Sequence, residues 1–118
     1  MGTISEEVTQ VTRALHEAGL RATSDPGKIN PPCVWVNLAT IDPTYLAGQV
    51  ELDIEIYFVT PDHGTLPAIR QLEQMISKAR RVIDLTAQLE AMPVAVPALG
   101  NTPIPALRTS IERTATID

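Results

Sequence analysis

The sequence predicts an α+β fold, in which a mostly antiparallel β-sheet of four to five strands carries two amphipathic helices on one face. Three observations lead to this prediction. Residues 3–18 and 65–81 repeat apolar side chains at helical spacings of three and four. Residues 50–59 and 106–117 alternate apolar and polar side chains, as half-buried strands do. Proline and glycine separate these segments, so each can end before the next begins.

The first predicted helix spans residues 3–18. Thr3 followed by Glu6 has the spacing of a capping box, and Gly19 can adopt the left-handed conformation that ends a helix. The apolar stripe of this helix consists of Ile4, Val8, Val11, Leu15 and Ala18.

A short extended piece, 20–24, then leads into a proline- and glycine-containing loop, 25–32. Residues 33–41 are rich in β-branched and aromatic side chains, which predicts a largely buried strand. The loop 42–49 connects it to the alternating strand 50–59. Two strands joined by so short a loop most simply pair antiparallel.

The second predicted helix begins with Thr65 as its cap and Pro67 in its first turn, where the missing amide hydrogen costs little. It should reach at least Arg81 and at most about Leu85. Its predicted apolar stripe consists of Leu66, Ile69, Leu72, Ile76, Ala79 and Ile83.

Prolines limit what the remaining chain can form. Residues 93–99 are predicted to be an edge strand, "GNTPIP" (100–105) a loop, and 106–117 a terminal strand. The expected order is α-β-β-β-α-β-β, with one strand fewer if 20–24 does not pair. The whole chain, residues 1–118, is expected to form a single domain.

Composition argues against several function classes. With 14 acidic and 9 basic residues, the net charge is −5, and a protein that grips duplex DNA usually has a basic surface. Only 3% of the residues are aromatic, which disfavours base stacking on single-stranded nucleic acid. Cys33, the only cysteine, lies at the start of an apolar run and is expected to be a buried small hydrophobe. We expect neither a secretory leader in "MGTISEEVTQ" nor a membrane span.

Three carboxylates follow one another on the polar side of the strand 50–59: Glu51, Asp53 and Glu55. Successive same-side positions on a strand lie about 7 Å apart, so these groups form a row and do not converge on one ion. Asp62 and His63 follow the strand but also read as an ordinary turn. A solvated acidic face is therefore the favoured interpretation, and no catalytic, cofactor-binding or metal residue is assigned.

Five segments of the sequence together resemble those of a known protein family: "EAGL", "DPGKINPPCVWV", "VELDIEIYFVTPDHG", "LPAIRQLEQMISKA" and "VPALGNTPIPALRTSI". The family is the tail-terminator (tail-completion, minor tail) proteins of bacteriophages with long non-contractile tails. The resemblance covers nearly the whole chain and is strongest from the central strand through the second helix.

Such a resemblance implies a structural virion protein without catalysis or cofactor. It implies a homo-oligomeric ring, typically of six copies, at the head-proximal end of the tail. The ring would be assembled in the bacterial host cytoplasm, stop polymerisation of the major tail-tube protein and offer a docking surface to head-completion proteins. DNA would pass through without specific binding. We therefore expect Glu51, Asp53 and Glu55 to face the channel or the open ring surface, and segments 25–32 and 93–105 to make subunit contacts.

Three alternatives remain open at this stage. One is a head–tail connector or neck ring protein, which sequence separates poorly from a terminator. Another is a small metal-dependent hydrolase that uses Asp53, Glu55, Asp62 and His63. The third is a monomeric binding module.

Overall fold

A computed structural model describes residues 2–43 and 48–117 of the chain. The two helices are α1 (Ile4–Glu17) and α2 (Thr65–Ala79). The strands are β1 (Ala22–Thr23), β2 (Cys33–Pro43), β3 (Gln49–Val59), β4 (Glu90–Ala91), β5 (Val94–Val96), β6 (Thr102–Ile104) and β7 (Ala106–Thr116). Residues 44–47 of the predicted loop 42–49 lie outside the described residues. The predicted loop was wrong at its two ends, because Asp42 and Pro43 belong to β2 and Gln49 belongs to β3.

Five strands form one sheet in the order β1-β2-β3-β7-β4, and β5 and β6 form a separate hairpin. β2 pairs antiparallel with β3, β3 with β7, and β7 with β4, whereas β1 pairs parallel with β2. The predicted α+β class with a mostly antiparallel sheet is therefore confirmed. Since the segment 20–24 does contribute a strand, the longer of the two expected orders applies as far as α2.

Both helices cover the same face of this sheet. α1 contributes Val11 and Leu15, and α2 contributes Leu72, Met75 and Ala79, to a core shared with the apolar side chains of the strands. On β2, β3 and β7 these side chains are Val34, Val36, Val50, Leu52, Ile54, Ile56, Phe58, Ile111 and Ala115.

Local signals placed α1 correctly. Thr3 is the N-cap, and its Oγ1 accepts a hydrogen bond from the backbone N–H of Glu6. Gly19 has φ +92°, and the N–H of Leu20 donates to the carbonyl of Leu15. These are features of a Schellman ending, which uses glycine because the left-handed conformation is strained in residues with a Cβ.

The predictions for α2 were wrong at both ends. Gly64 is the N-cap and Thr65 is the first helical residue, with no side-chain cap bond. The helix ends at Ala79, and the N–H of Arg81 then bonds Lys78 in a tighter turn. Ile83 is buried, as the predicted stripe required, but it reaches the core through this turn and not as part of the helix.

The predicted apolar stripe of α2 was also partly wrong. Leu66 is 64% exposed and Ile69 is 45% exposed. The observed buried stripe runs through Ala68, Leu72, Met75 and Ala79. It shares Leu72 and Ala79 with the predicted stripe, and both have helical spacing, so periodicity alone does not choose between them.

The β5–β6 hairpin covers one end of the other face of the sheet. "GNTPIP" was predicted to be a loop but contains β6, and the predicted edge strand 93–99 pairs with β6 and not with the main sheet. Pro103 lies opposite Ala95 in this register. Proline fits there because each strand of a two-stranded hairpin has an open side that needs no amide donor. The hairpin closes a second core of Ile29, Cys33, Tyr57, Val59, Val94, Val96, Ile104 and Ala106.

Candidate functional site: the acidic face of the sheet

The face of the sheet that turns away from the helices changes character along β3. At one end Tyr57 and Val59 lie under the β5–β6 hairpin. Glu51, Asp53 and Glu55 occupy the same face further along the strand, where residue exposure increases. The structure thus places all three predicted carboxylates on one side of one strand, spread along a line.

The neighbouring strands extend this row sideways. Directly opposed residues in antiparallel strands share a face of the sheet, so each rung can be read from the register. Two rungs hold four carboxylates and no lysine or arginine, and we name these four residues the acidic face: Asp42, Glu51, Asp53 and Glu112. The rungs are Asp42, Glu51 and Thr114, followed by Thr40, Asp53 and Glu112.

Sequence reasoning missed Asp42 and Glu112. The alternation of 106–117 does put Glu112 on a polar side, but alternation does not say which residue of β3 it meets. In addition, a bulge between Leu38 and Thr40 shifts the phase of β2. Only after this shift does Asp42 share a face with Glu51.

Glu55 differs from the other two carboxylates of its row. Its Oε2 accepts a hydrogen bond from Arg108 at 3.1 Å, and its Oε1 accepts from Asn37 at 3.1 Å and from the hydroxyl of Tyr57 at 3.2 Å. Arg108 also donates to Glu90 at 3.3 Å. Glu55 is therefore held in an ion-paired network, with its side chain only 18% exposed.

This network joins the acidic face to the covered end of the sheet. The ring of Tyr57 stacks on Trp35, with centroids 4.7 Å apart. Burial raises the pKa of Tyr57, and the charge of Glu55 and its hydrogen bond raise it further, while Arg108 opposes them. Both effects of Glu55 favour the neutral phenol, because a tyrosinate would be repelled by the carboxylate and would lose the hydrogen bond that the phenol O–H donates.

The residues proposed for a metal-dependent hydrolase are not brought together. Asp62 and His63 lie in the turn between β3 and α2. Asp53 lies six residues before the end of β3, a distance of about 20 Å along the strand. Within residues 2–43 and 48–117, no group of three metal-ligating side chains converges.

Cys33 is only 2% exposed and packs beneath the β5–β6 hairpin, as its apolar neighbours predicted. Burial raises the pKa of its thiol, although a backbone hydrogen bond and Arg21 act in the opposite direction. A raised thiol pKa leaves little thiolate at neutral pH, so Cys33 has the properties of a packing residue and not of a nucleophile.

The two segments expected to make subunit contacts pack on each other. Ile29 from 25–32 joins Val94, Val96 and Ile104 from 93–105 in the second core. Leu99, at the turn of the hairpin, remains exposed. The buried apolar side chains of the two segments therefore contact each other within one chain, while the expected subunit contacts stay a prediction.

No helix in the described part of the chain is long and apolar enough to cross a membrane. Comparisons of the chain with protein-family models, with curated proteins and with solved structures find no match.

Proposed function

We propose that this protein is a structural component of a tailed bacteriophage, a tail terminator that caps the tail tube as a ring and lets DNA pass through. The observation that carries the proposal is the acidic face, where Asp42, Glu51, Asp53 and Glu112 lie on a regular sheet without an intervening cation. The resemblance in sequence phrases supplies the biological setting.

The acidic face suits contact with moving DNA. Duplex DNA carries about one phosphate charge per 1.7 Å, and proteins hold it by releasing counterions from those phosphates. A surface of carboxylates releases none and repels the backbone, so DNA passes without being retained. Each copy in a ring would add the same four carboxylates to the bore.

The two sides of the sheet differ in charge, because the acidic face holds only carboxylates whereas the helical side holds cations beside exposed acids such as Glu17 and Glu73. Exposed cations lie on α2 or just after it, on the side opposite the acidic face: Arg70, Lys78, Arg80 and Arg81. With the sheet turned inward, the acids line the bore and these cations face outward. The opposite orientation would present cations to DNA and slow its passage.

Capping is tested by co-assembly. The tail-tube protein of the same virus is polymerised with and without this protein, and tube lengths are measured by electron microscopy. We expect added protein to stop growth and to appear as an extra ring at one end of each tube. Unchanged tube growth at excess protein contradicts the terminator proposal and favours the connector or neck alternative.

Passage of DNA is tested by charge reversal. Glu51 and Asp53 are replaced together by lysine, while Glu55 is kept because it binds Arg108. We expect rings to form and DNA ejection to slow. The control reverses Glu17 and Glu73, two exposed residues on the helices, with the same change in net charge. Equal ejection rates in both double variants would exclude a channel role for the acidic face.

A further inference from the structure

We infer that copies of this protein join edge to edge, the outer edge of β2 in one copy pairing in parallel with the outer edge of β7 in the next. The inference rests on the proposed ring and specifies its subunit interface.

The two short strands leave most of the main sheet open on both sides. β1 pairs with β2 only at Val34 and Trp35, and β4 pairs with β7 only at Leu107 and Arg108. Both short strands therefore flank the covered end of the sheet. Further along, among the described strands, the sheet is a three-stranded ribbon of β2, β3 and β7. That ribbon carries the acidic face.

The edge formed by β2 is accessible. Every residue from 39 to 43 is exposed, and Ile41, a β-branched residue, is 46% exposed. Exposed edges with apolar side chains readily accept another strand.

The edge formed by β7 has an open stretch between two occupied ends. At one end of β7, the N–H of Thr116 donates to the carbonyl of Gly2; at the other end, the carbonyl of Ala106 accepts from the N–H of Met92. Both bonds lie on the side of β7 that faces away from β3, so the even-numbered residues of β7 direct their N–H and C=O groups to this outer edge. Thr114 and Glu112 lie between these ends and are exposed. The carbonyl of Glu112 accepts a solvent-exposed hydrogen bond from the side chain of Arg113. A backbone N–H of an incoming strand can replace this donor.

Strand direction decides how the edges combine. β2 and β7 are both antiparallel to β3, so they run the same way. Copies related by rotation about a ring axis keep that direction, and β2 of one copy then meets β7 of the next in parallel. This contact uses both edges of every copy and leaves none open when the ring closes. A two-fold dimer through β2 alone would leave the β7 edge unpaired.

The same contact extends the acidic face from each copy into the next. Since β2 and β7 both belong to its rungs, edge pairing continues the rungs from one copy to the next. The carboxylates then form continuous circular bands around the bore.

Cysteine crosslinking tests the pairing. Asp42→Cys and Thr114→Cys are prepared singly and together, with native Cys33 retained because it is buried. With a short thiol crosslinker, we expect only the double variant to give a ladder that ends at the ring mass. A second double variant, Thr40→Cys with Thr114→Cys, tests a register shifted by two residues. Crosslinked dimers from Asp42→Cys alone, or rings without crosslinks in either double variant, overturn the inference.

A proline substitution provides a second readout. Thr114→Pro removes an outward N–H, whereas Thr114→Val keeps it. We expect the proline variant to stay monomeric with an unchanged circular dichroism spectrum and the valine variant to form rings. Rings of normal mass from a folded proline variant overturn the inference and leave the terminator proposal standing. Edge-paired rings that do not stop tube growth would support the inference and contradict the terminator proposal.

Discussion

Arg108 distinguishes the carboxylates of β3 from one another. Its guanidinium donates to Glu55 and to Glu90, which lies 18 residues before it in the chain. Glu51 lies two rungs further along the same face, opposite Asp42 and Thr114. Glu55 is thus a structural residue at the border of the acidic face, while Glu51 belongs to its exposed part.

We expect Glu55→Gln to lower the free energy of unfolding by about 1 kcal/mol, because the largely buried Glu55 side chain loses its charged hydrogen bond. Glu51→Gln is the matched control and should change stability by less than about 0.5 kcal/mol. Urea denaturation of both variants measures the difference. Equal stability of the two variants would contradict a structural role for the Glu55 network.

Tyr57 reports on the same network through its ionisation. Its raised pKa means that the fold favours the neutral phenol, so this contribution to stability is complete below the ordinary tyrosine pKa of about 10. It is lost as pH rises through the raised pKa. In a Tyr45→Phe background, an ultraviolet titration observes Tyr57 alone. We expect Glu55→Gln to shift its pKa downward, and an unchanged titration curve would show that Glu55 does not act on it.

Among the secondary-structure elements, α2 is a helix that the sequence predicted correctly, although the sequence did not identify which of its faces is buried. Two stripes of helical spacing run along it, and contact with the sheet selects the one through Ala68 and Met75. Leu66 and Ile69 are exposed, although both side chains are larger than that of Ala68, the buried residue in the same turn of the helix.

This assignment predicts contrasting effects of two identical substitutions in α2. Leu72→Ala should cost about 2–4 kcal/mol, since it removes buried methyl groups from the core. Leu66→Ala should stay within about 0.5 kcal/mol, because that side chain is mostly exposed. Thermal unfolding of both variants checks the contrast. A comparable loss in Leu66→Ala would mean that the sequence-derived stripe is the buried one.

What could be predicted from sequence depended on the range of the interaction. The cap at Thr3 and the ending at Gly19 involve neighbouring residues, and both were predicted. Arg108 and Glu55 are 53 residues apart, so only the register of β3 and β7 reveals their ion pair. The strand β5 lies within the predicted edge strand 93–99, but β6 and its pairing with β5 were missed because the prolines of 100–105 are typical of loops.

At the scale of the whole molecule, three features act together: a sheet covered by helices on one side, an acidic face on the other, and two open edges that run in the same direction. In the proposed ring, the first two turn the carboxylates of the acidic face toward the bore and the helices, of mixed charge, toward the outside. The third provides a contact that repeats from copy to copy and closes.

The most direct test is a cryo-electron microscopy reconstruction of the assembled protein on its tail tube. We expect a closed ring in which β2 of each copy adjoins β7 of the next, with Glu51 and Asp53 facing the bore. A ring with these residues on its outer surface, or a protein that stays monomeric beside capped tubes, would contradict the account.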